Sequence, residues 1–331
     1  MSQDSKTVKV GFVGVGGIAN GHLRRLSELE AVEITALCDI AEERVHAAVE
    51  AHGGQGYTDY RVMLDEAALD AVYFCLPPFA HSDGEIIAAE RGCHIFVQKP
   101  VVMDIETGVK IAEAIQRAGV ISCVGYQLRY SNAPTAARDF LSGKTISMVA
   151  CHRWGGIAGG PSHWWRVMDK SGGMLHEQAT HQLDLIRYTA GEIAEVYKID
   201  ALKVNADEEN HTIPDAEVVT LQLESGAVGY ITTSSALTQG GGSTRTDYII
   251  EGHLILQIDG GLRVLPEGAA TVEVPDTPTP SIDETFIEAI QTGDASMIRS
   301  SYSDGLKSAA VTIAANQSAE SHRPVRVPQT P

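Results

Sequence analysis

Gly14-Val15-Gly16-Gly17-Ile18-Ala19 lies near the start of this 331-residue chain, directly after the apolar run Val8 to Val13. The run predicts a strand that delivers the chain into a tight turn. Missing side chains at Gly14 and Gly16 let backbone amides approach a pyrophosphate, and the small Ala19 lets the next helix pack closely on the sheet. The positive end of that helix then faces the phosphates. The stretch predicts a dinucleotide site, whose expected cofactor-binding residues are Gly14, Gly16, Gly17, Ile18 and Ala19.

A carboxylate at the expected end of the second strand supports the same interpretation. Asp39 follows the second apolar run, Val32 to Cys38. At a strand tip its carboxylate can accept hydrogen bonds from ribose hydroxyls, and it repels a 2'-phosphate. We therefore expect NAD rather than NADP, with the open point that Arg44 lies close enough in sequence to turn toward a 2'-phosphate.

Length, charge and composition limit the class of protein. The chain exceeds the usual size of a single hydrophobic core, so two domains are expected. A net charge of −18 argues against nucleic acid, which is bound by clustered Lys and Arg. No stretch approaches the roughly 20 apolar residues of a membrane span, and the polar start, Met1 to Lys9, lacks the apolar core of a signal peptide. These features predict a cytoplasmic protein with no nucleic-acid or membrane partner. The five cysteines have no CxxC spacing, so no disulfide framework is expected.

The first third of the chain alternates short apolar runs with helical patterns. Strands are predicted at Val8–Val13, Glu33–Cys38, Ala71–Leu76, His94–Val97 and Val120–Val124, with a short one near Gln55–Tyr57. Helices are predicted at Ala19–Leu29, Ala41–His52, His81–Arg91 and Ile105–Ala118. Strict alternation indicates right-handed crossovers and a parallel sheet, with the ligand at the carboxyl ends of its strands.

The pattern changes after about Gly125. Strand-like runs, several alternating with period two, lie at Ser147–Trp154, Glu195–Val204, Ala216–Leu223, Val228–Leu237, Thr246–Ile250 and Leu254–Ile258. Helices are predicted at Ala133–Leu141, Met174–Thr189, Ile282–Gln291 and Gly305–Ser318. The fold class predicted is α/β: an N-terminal Rossmann domain, residues 1–125, and a C-terminal α+β domain, residues 126–331, with a large, mostly antiparallel sheet.

Five motifs in order now support a family resemblance. They are the glycine turn, Pro77-Pro78-Phe79-Ala80-His81, Gln98-Lys99-Pro100, Gly125-Tyr126-Gln127-Leu128-Arg129, and the stretch from Gly172 to Asp184. Together they resemble the Gfo/Idh/MocA oxidoreductases, the glucose-fructose oxidoreductase and inositol dehydrogenase family. The resemblance covers nearly the whole chain and extends to an ending, Arg323 to Val327, similar to the family's last strand.

The resemblance implies roles for individual residues. Lys99 takes the place of the lysine that contacts the reacting hydroxyl or carbonyl, with Gln98 where the family usually has Glu, so any charge interaction from that position is lost. His181 is implied to contact substrate and to accept or relay a proton, which suits an imidazole. Glu177 lies four residues before His181, at the position where the family pattern has Asp. Further cofactor contacts are implied at Leu76, Pro77, His81, Gln98 and Lys99.

The helix expected after Gly173 carries two histidines, which raises the question of a metal site. Glu177, His181 and Asp184 are spaced to project from one face of a continuous helix. His176 and His181 are five residues apart, which places the two imidazoles about 140° apart around the axis, so they cannot share one zinc. No metal is expected.

Aromatic and basic residues complete the expected substrate pocket. Trp154, Trp164 and Trp165 occur within a short glycine-containing span beside Arg153. A sugar ring offers C–H faces to an indole and hydroxyls to charged groups, so the cluster suits a sugar or polyol, with core packing as the alternative for each Trp. Tyr126 resembles the family's pocket-wall aromatic. The substrate contacts expected are Lys99, Tyr126, Arg153, Trp165, Glu177 and His181.

The function expected is an NAD-dependent dehydrogenase that oxidises a secondary hydroxyl of a sugar, sugar derivative or cyclitol. Lys99, His181 and Glu177 are the expected catalytic residues. Two alternatives stay open: an enzyme that retains NAD and uses transient oxidation for epimerisation, elimination or glycoside cleavage, and a non-catalytic NAD-binding protein. The second domain's sheet is also expected to mediate a homodimer or homotetramer, because outward positions on its strands carry few charges.

Overall fold

The computed structural model describes residues 7–157, 160–237 and 239–331. The chain divides into two compact units. The first combines Met1–Gln127 with Pro280–Leu306, and the second combines Leu128–Thr279 with Lys307–Thr330. The sequence placed one boundary at residue 125 and assigned everything after it to the second domain. The structure differs in returning Pro280–Leu306 to the first unit.

The first unit is built on six parallel strands with helices between them. Its elements run β1 (Val8–Val13), α1 (Gly17–Ser27), β2 (Val32–Cys38), α2 (Glu42–His52), β3 (Gln55–Tyr57), α3 (Tyr60–Glu66), β4 (Ala71–Phe74), α4 (Gly84–Glu90), β5 (His94–Val97), α5 (Ile105–Ala118) and β6 (Ser122–Val124). The strand order is β3-β2-β1-β4-β5-β6, which confirms the predicted Rossmann sheet. The sequence missed the short helix α3, which Asp59 caps by accepting a hydrogen bond from the Arg61 N–H at 2.8 Å.

The second unit contains most of the remaining elements. They run α6 (Asn132–Leu141), β7 (Ile146–Trp154), α7 (Met168–Ser171), α8 (Gly173–Glu177), α9 (Thr180–Ala190), β8 (Ile193–Ala201), β9 (Ala216–Leu223), β10 (Val228–Ser234), β11 (Ser243–Ile250), β12 (Leu254–Ile258) and β13 (Leu262–Leu265). The chain then forms α10 (Ile282–Thr292), α11 (Tyr302–Ser321) and β14 (Val325–Arg326). Eight strands form one sheet in the order β13-β12-β11-β7-β10-β9-β8-β14. All its pairs are antiparallel except β7 with β10, as the mostly antiparallel prediction requires.

One predicted helix is broken in the structure. The sequence predicted a single helix over 174–189, but α8 ends at Glu177 and α9 begins at Thr180. The N–H groups of Gln178 and Ala179 both bond to the Met174 carbonyl, at 3.0 and 2.9 Å, which widens the turn and interrupts the regular ladder. Residues on either side of the break therefore do not share the face that a continuous helix gives them.

Each sheet has its own core. In the first unit the rings of Phe12, Tyr73 and Phe96 stack across β1, β4 and β5 with centroids 4.8 and 4.4 Å apart. Phe286 from α10 packs edge-on against Tyr73 and Phe96, which ties α10 to this unit. In the second unit apolar side chains from α8, α9 and α11 cover one face of the eight-stranded sheet. In the part of the chain that the structure describes, no helix has the length and apolar character needed to span a bilayer.

Candidate functional site

Gly14 occupies a position that only glycine tolerates. Its φ is +87°, and a Cβ there would lie 2.5 Å from the Cys75 carbonyl oxygen and 3.2 Å from the Leu76 side chain. The Gly14 N–H bonds to the Cys38 carbonyl at 2.8 Å. The turn after β1 therefore packs closely against the residues that follow β4 and bonds to the last residue of β2. A tight phosphate-binding turn needs this close packing.

The next glycines are open where Gly14 is crowded. A Cβ at Gly16 or Gly17 would meet nothing within 4 Å. Gly16 is the N-cap of α1 and supplies no side-chain hydrogen bond, so the first amides of α1 lack a side-chain cap. Ile18 is 58% exposed and Ala19 is fully buried against the sheet. Helix amides without a side-chain cap, next to two glycines that leave the backbone accessible, fit the pyrophosphate of a dinucleotide.

Asp39 lies at the carboxyl end of β2, as predicted, and also holds the turn. One carboxylate oxygen accepts from the Val15 N–H at 3.1 Å and the other accepts from the Ala41 N–H at 3.0 Å. Each oxygen keeps further acceptor capacity for a ribose hydroxyl. The Arg44 guanidinium, with a side chain 62% exposed, lies 3.6 Å from the same carboxylate. These residues fit the adenosine side of NAD.

The motif after β4 places a buried histidine. Pro77 precedes a 3₁₀ turn over Pro78–Ala80, and His81 follows it. His81 Nδ1 lies 2.5 Å from Glu85 Oε1, and both side chains are fully buried. Leu76 lines the glycine turn, whereas His81 is oriented by Glu85 of α4.

Gln98 has partners that the sequence did not reveal. Its side-chain carbonyl accepts from the Lys99 N–H at 3.3 Å, so its amide nitrogen is the atom 2.5 Å from His22 Nε2. His22 Nδ1 then donates to Asp283 of α10 at 2.6 Å, and Arg25 donates to the other carboxylate oxygen at 2.6 Å. A Gln suits this hydrogen-bond network because its side-chain N–H donates to the imidazole Nε2, which a carboxylate cannot do. Gln98 thus lacks the charge interaction of the family's Glu, but its side chain forms hydrogen bonds with His22 and the Lys99 N–H instead.

Lys99 follows β5 at the carboxyl edge of the six-stranded parallel sheet and is partly exposed. Gly14 follows β1 and Asp39 follows β2, so all three residues leave the same edge of one sheet. Tyr126, which follows β6, is fully buried.

In the second unit, the break between α8 and α9 separates the residues predicted to share one helix face. Glu177 ends α8, is 5% exposed, and accepts a hydrogen bond from the Gln178 side chain. His181 lies in the first turn of α9 and is partly exposed. Asp184 is fully paired with Arg129, at 2.8 and 2.6 Å, in the buried interior. The Asp184 and Arg129 motif residues therefore hold the fold together, and only Glu177 and His181 remain as site candidates on this segment.

The predicted aromatic cluster is also divided. Trp154 lies on the open face of the sheet, 41% exposed, and stacks on His152 at 4.2 Å. Trp164 and Trp165 pack edge-on at 5.9 Å in a 3₁₀ turn that ends at Arg166. Successive strand residues point to opposite faces, so Trp154 and its neighbour Arg153 lie on opposite sides of the sheet.

Arg153 belongs to a polar row that crosses the covered face of the sheet. In the strand register it lies beside Thr233 of β10, which lies beside Glu217 of β9. Glu217 accepts hydrogen bonds from the Thr233 hydroxyl and, at 2.8 Å, from the Leu175 N–H of α8. The row therefore lies beneath the helix that carries Glu177. Sequence reasoning missed Glu217, although period-two alternation in β9 places it among the inward positions. Within the described residues, no group of three or more His, Cys, Asp or Glu is placed to hold a metal.

Comparison with known families agrees with both units. Residues 8–126 match the oxidoreductase family with an NAD-binding Rossmann fold, and residues 141–253 match the Gfo/Idh/MocA C-terminal domain. The chain belongs to the Gfo/Idh/MocA family of oxidoreductases. It is an NAD-dependent oxidoreductase, whose NAD-binding Rossmann domain spans residues 8–126.

Individual relatives are more distant. The chain is 28% identical over 250 residues to the uncharacterised oxidoreductase YrbE of Bacillus subtilis, covering 71% of this chain and 70% of the relative. It is 26% identical over 237 residues to myo-inositol 2-dehydrogenase of Thermotoga maritima, covering 70% of each. The fold matches the WlbA dehydrogenase of Chromobacterium violaceum, solved with NADH and UDP-GlcNAcA, with a TM-score of 0.81 and 24% identity over 100% of this chain and 98% of that one. It also matches levoglucosan dehydrogenase, solved with NADH and L-sorbose, with a TM-score of 0.83 and 18% identity over 98% and 100% of the two chains.

Proposed function

We propose that the protein is an NAD-dependent dehydrogenase that oxidises a secondary hydroxyl of a sugar, sugar derivative or cyclitol. The observation that carries the proposal is the common position of Gly14, Asp39 and Lys99 at the carboxyl edge of one parallel sheet. Ligands of open α/β sheets bind at that edge. An inositol dehydrogenase among the relatives supports a polyol as substrate class.

The residues take separate roles in this proposal. The glycine turn, the first amides of α1 and Asp39 hold the cofactor, with Leu76, Pro77, His81 and Gln98 as further contacts or supports. NAD supplies the hydride acceptor. Lys99 and His181 accept or relay the proton of the reacting hydroxyl. Glu177 orients His181 or a substrate hydroxyl, while Tyr126, Arg153 and Trp165 contribute to substrate binding.

The first experiment is a screen of sugars, sugar acids and inositols for NAD reduction, followed by the absorbance of the reduced nicotinamide. A dehydrogenase accumulates reduced cofactor over many turnovers with one of these compounds. An enzyme that retains NAD converts substrate without net reduction, and a binding protein converts nothing while still binding NAD. Either of the last two results refutes the proposal.

Lys99→Ala tests the assigned role of the lysine. We expect turnover to fall about 10²–10⁴-fold, as for other positioned proton-transfer groups, with little change in NAD affinity. Steady-state kinetics and NAD titration measure the two effects. Lys110→Ala is the matched control, since Lys110 is an exposed lysine of α5 that pairs with Glu106. Near-parental kcat in the Lys99 variant would exclude this role.

We also propose that the protein forms a homodimer or homotetramer through the open face of the eight-stranded sheet. Outward positions of its central strands include Val218, Val228 and Tyr230, which are 50%, 54% and 38% exposed. Outward positions on β7, β9 and β10 carry no Lys, Arg, Asp or Glu. A sheet face in open water usually carries charge, so a second copy of the same face is the expected cover. The cytoplasmic location stays a prediction.

A further inference from the structure

A buried ion pair lies beneath α8, in the second unit. Lys198 of β8 and Glu217 of β9 are 2.6 Å apart, and both side chains are completely inaccessible to solvent. Burying two charges costs several kcal/mol for each, so such a pair persists only where its other hydrogen-bonding groups are also satisfied. The partners of this pair are therefore informative.

Two of those partners, Leu175 and Asn316, connect the pair to the Gly172–Gly173 turn. Lys198 Nζ donates to Asn316 of α11 at 2.9 Å and lies 3.3 Å from Asp200. Glu217 accepts from the Leu175 N–H at 2.8 Å and from the Thr233 hydroxyl. The Asn316 side-chain nitrogen donates to the Gly172 carbonyl at 2.9 Å. Both sides of the turn that begins α8 are thus fastened to one ion pair.

The N-cap residue of α8 supplies no side-chain hydrogen bond, although the Ser171 hydroxyl accepts from the Gly173 N–H at 3.2 Å. Its N-cap residue is Gly172, with φ +70°, and the first helical residue is Gly173, with φ +87°. The Leu175 N–H is one of the first-turn donors that a helix leaves unpaired, and here the acceptor comes from a distant strand. A Cβ at Gly173 would lie 3.3 Å from Glu217 Oε1, so the glycine permits this close approach.

We propose that Glu217 and Lys198 are positioning residues, which fix the first turn of α8 and thereby the placement of Glu177 at its end. The inference rests on the proposed function, in which Glu177 orients His181 or substrate. Glu177 follows Leu175 by two residues, within the same turn of helix. A displacement of about 1 Å at a positioning group can cost on the order of 10²-fold in rate.

Two double variants separate positioning from bulk stability. Lys198→Met with Glu217→Gln removes both charges but keeps a carbonyl oxygen that can accept from the Leu175 N–H. Lys198→Met with Glu217→Leu removes the same charges and leaves that N–H without an acceptor. Replacing a buried ion pair by apolar side chains of similar volume is often tolerated, so both variants are expected to fold.

We expect the Gln variant to retain a kcat within a few-fold of the parent, and the Leu variant to lose about 10²-fold in kcat. NAD affinity should be equal in the two. Hydrogen exchange of the peptide over residues 172–181 should be faster in the Leu variant than in the Gln variant, with equal exchange over α5 as an internal reference. Equal exchange over 172–181, or unequal exchange with equal kcat, overturns the proposal. If the screen finds no substrate, the proposed function fails, while the exchange comparison still decides whether Glu217 holds the turn.

Discussion

Single residues of the cofactor turn were the part of the site most open to prediction. Gly14 was inferred from its position after an apolar run, and its positive φ and crowding by Cys75 explain why no other residue fits there. Gln98 was harder, because its partner His22 is far away in sequence and no local pattern pairs them. Asp39 lies at the strand end where the sequence predicts it, but no local pattern indicates that its carboxylate accepts a hydrogen bond from the Val15 N–H, 24 residues away.

Asp39→Ala should weaken NAD binding by about 1.5–3 kcal/mol, the usual contribution of hydrogen bonds to a charged group. The advantage of NAD over NADP should narrow, because the carboxylate that repels a 2'-phosphate is gone. Titration with both cofactors measures the two effects. Glu42→Ala, which removes an exposed carboxylate at the start of α2, serves as the control and should leave both affinities unchanged. Equal affinities for NAD and NADP in the parent would contradict the assignment.

At the level of helices and strands, period and spacing predicted most elements but not how they end or pair. The sequence over 174–189 predicts one continuous helix. In the structure the N–H groups of Gln178 and Ala179 share the Met174 carbonyl and interrupt the helix there, which no local pattern predicts. The parallel pairing of β7 with β10 and the role of Glu217 depend on strand register. Short elements such as α3 and β13 have too few residues for a periodic signal.

Asp283 of α10 bonds to His22 and Arg25 of α1, and its ionisation makes the stability of the fold depend on pH. Burial favours the neutral acid, but hydrogen bonds from His22 and Arg25, together with the positive charge of Arg25, outweigh it and lower the pKa of Asp283 below its usual 3.8. A carboxyl with a lowered folded-state pKa stabilises the fold above its unfolded pKa, and this stability is lost as pH falls through the folded value. Stability from this group is therefore fully present at neutral pH and lost below about pH 4.

Asp283→Asn should lower the free energy of unfolding at neutral pH by about 1.5–3 kcal/mol and reduce the loss of stability on acidification. Urea unfolding at a series of pH values measures both. Asp276→Asn, at an exposed loop position, is the control and should change stability by less than about 0.5 kcal/mol. An Asp283 variant with the parent's acid sensitivity would show that another group controls it.

For the molecule as a whole, composition and alternation predicted two units and their sheet types, whereas the return of Pro280–Leu306 to the first unit was not predicted. The periodic pattern over Ile282–Gln291 predicts a helix there. It does not predict that Phe286 packs against Tyr73 or that Asp283 bonds to His22, because both partners are far away in sequence. Few charged residues occupy the outward positions of the sheet, and from this the sequence predicts that a second subunit covers that face.

Light scattering should return a mass of two or four times the 35.4 kDa of one chain. Val218→Glu together with Val228→Glu places charges on the open face and should shift the protein toward monomer, because buried unpaired carboxylates are costly. Val204→Glu is the control, since Val204 is 71% exposed and lies after β8, outside the face. A parent protein that measures as a monomer in dilute solution refutes the proposed interface.

The interleaving of the two units along the chain has a consequence for how the protein is made. The first unit lacks Asp283 and Phe286 until synthesis has passed the whole of residues 128–279, and the second lacks α11 until still later. Until then, His22 and Arg25 have no carboxylate partner, and the stacked rings of Tyr73 and Phe96 are missing one of their neighbours. The first unit therefore stays incomplete until nearly all of the second unit has been synthesised, and the second is completed last. Premature termination anywhere before Pro280 removes part of both units at once, so a chain shortened in this way contains neither unit complete.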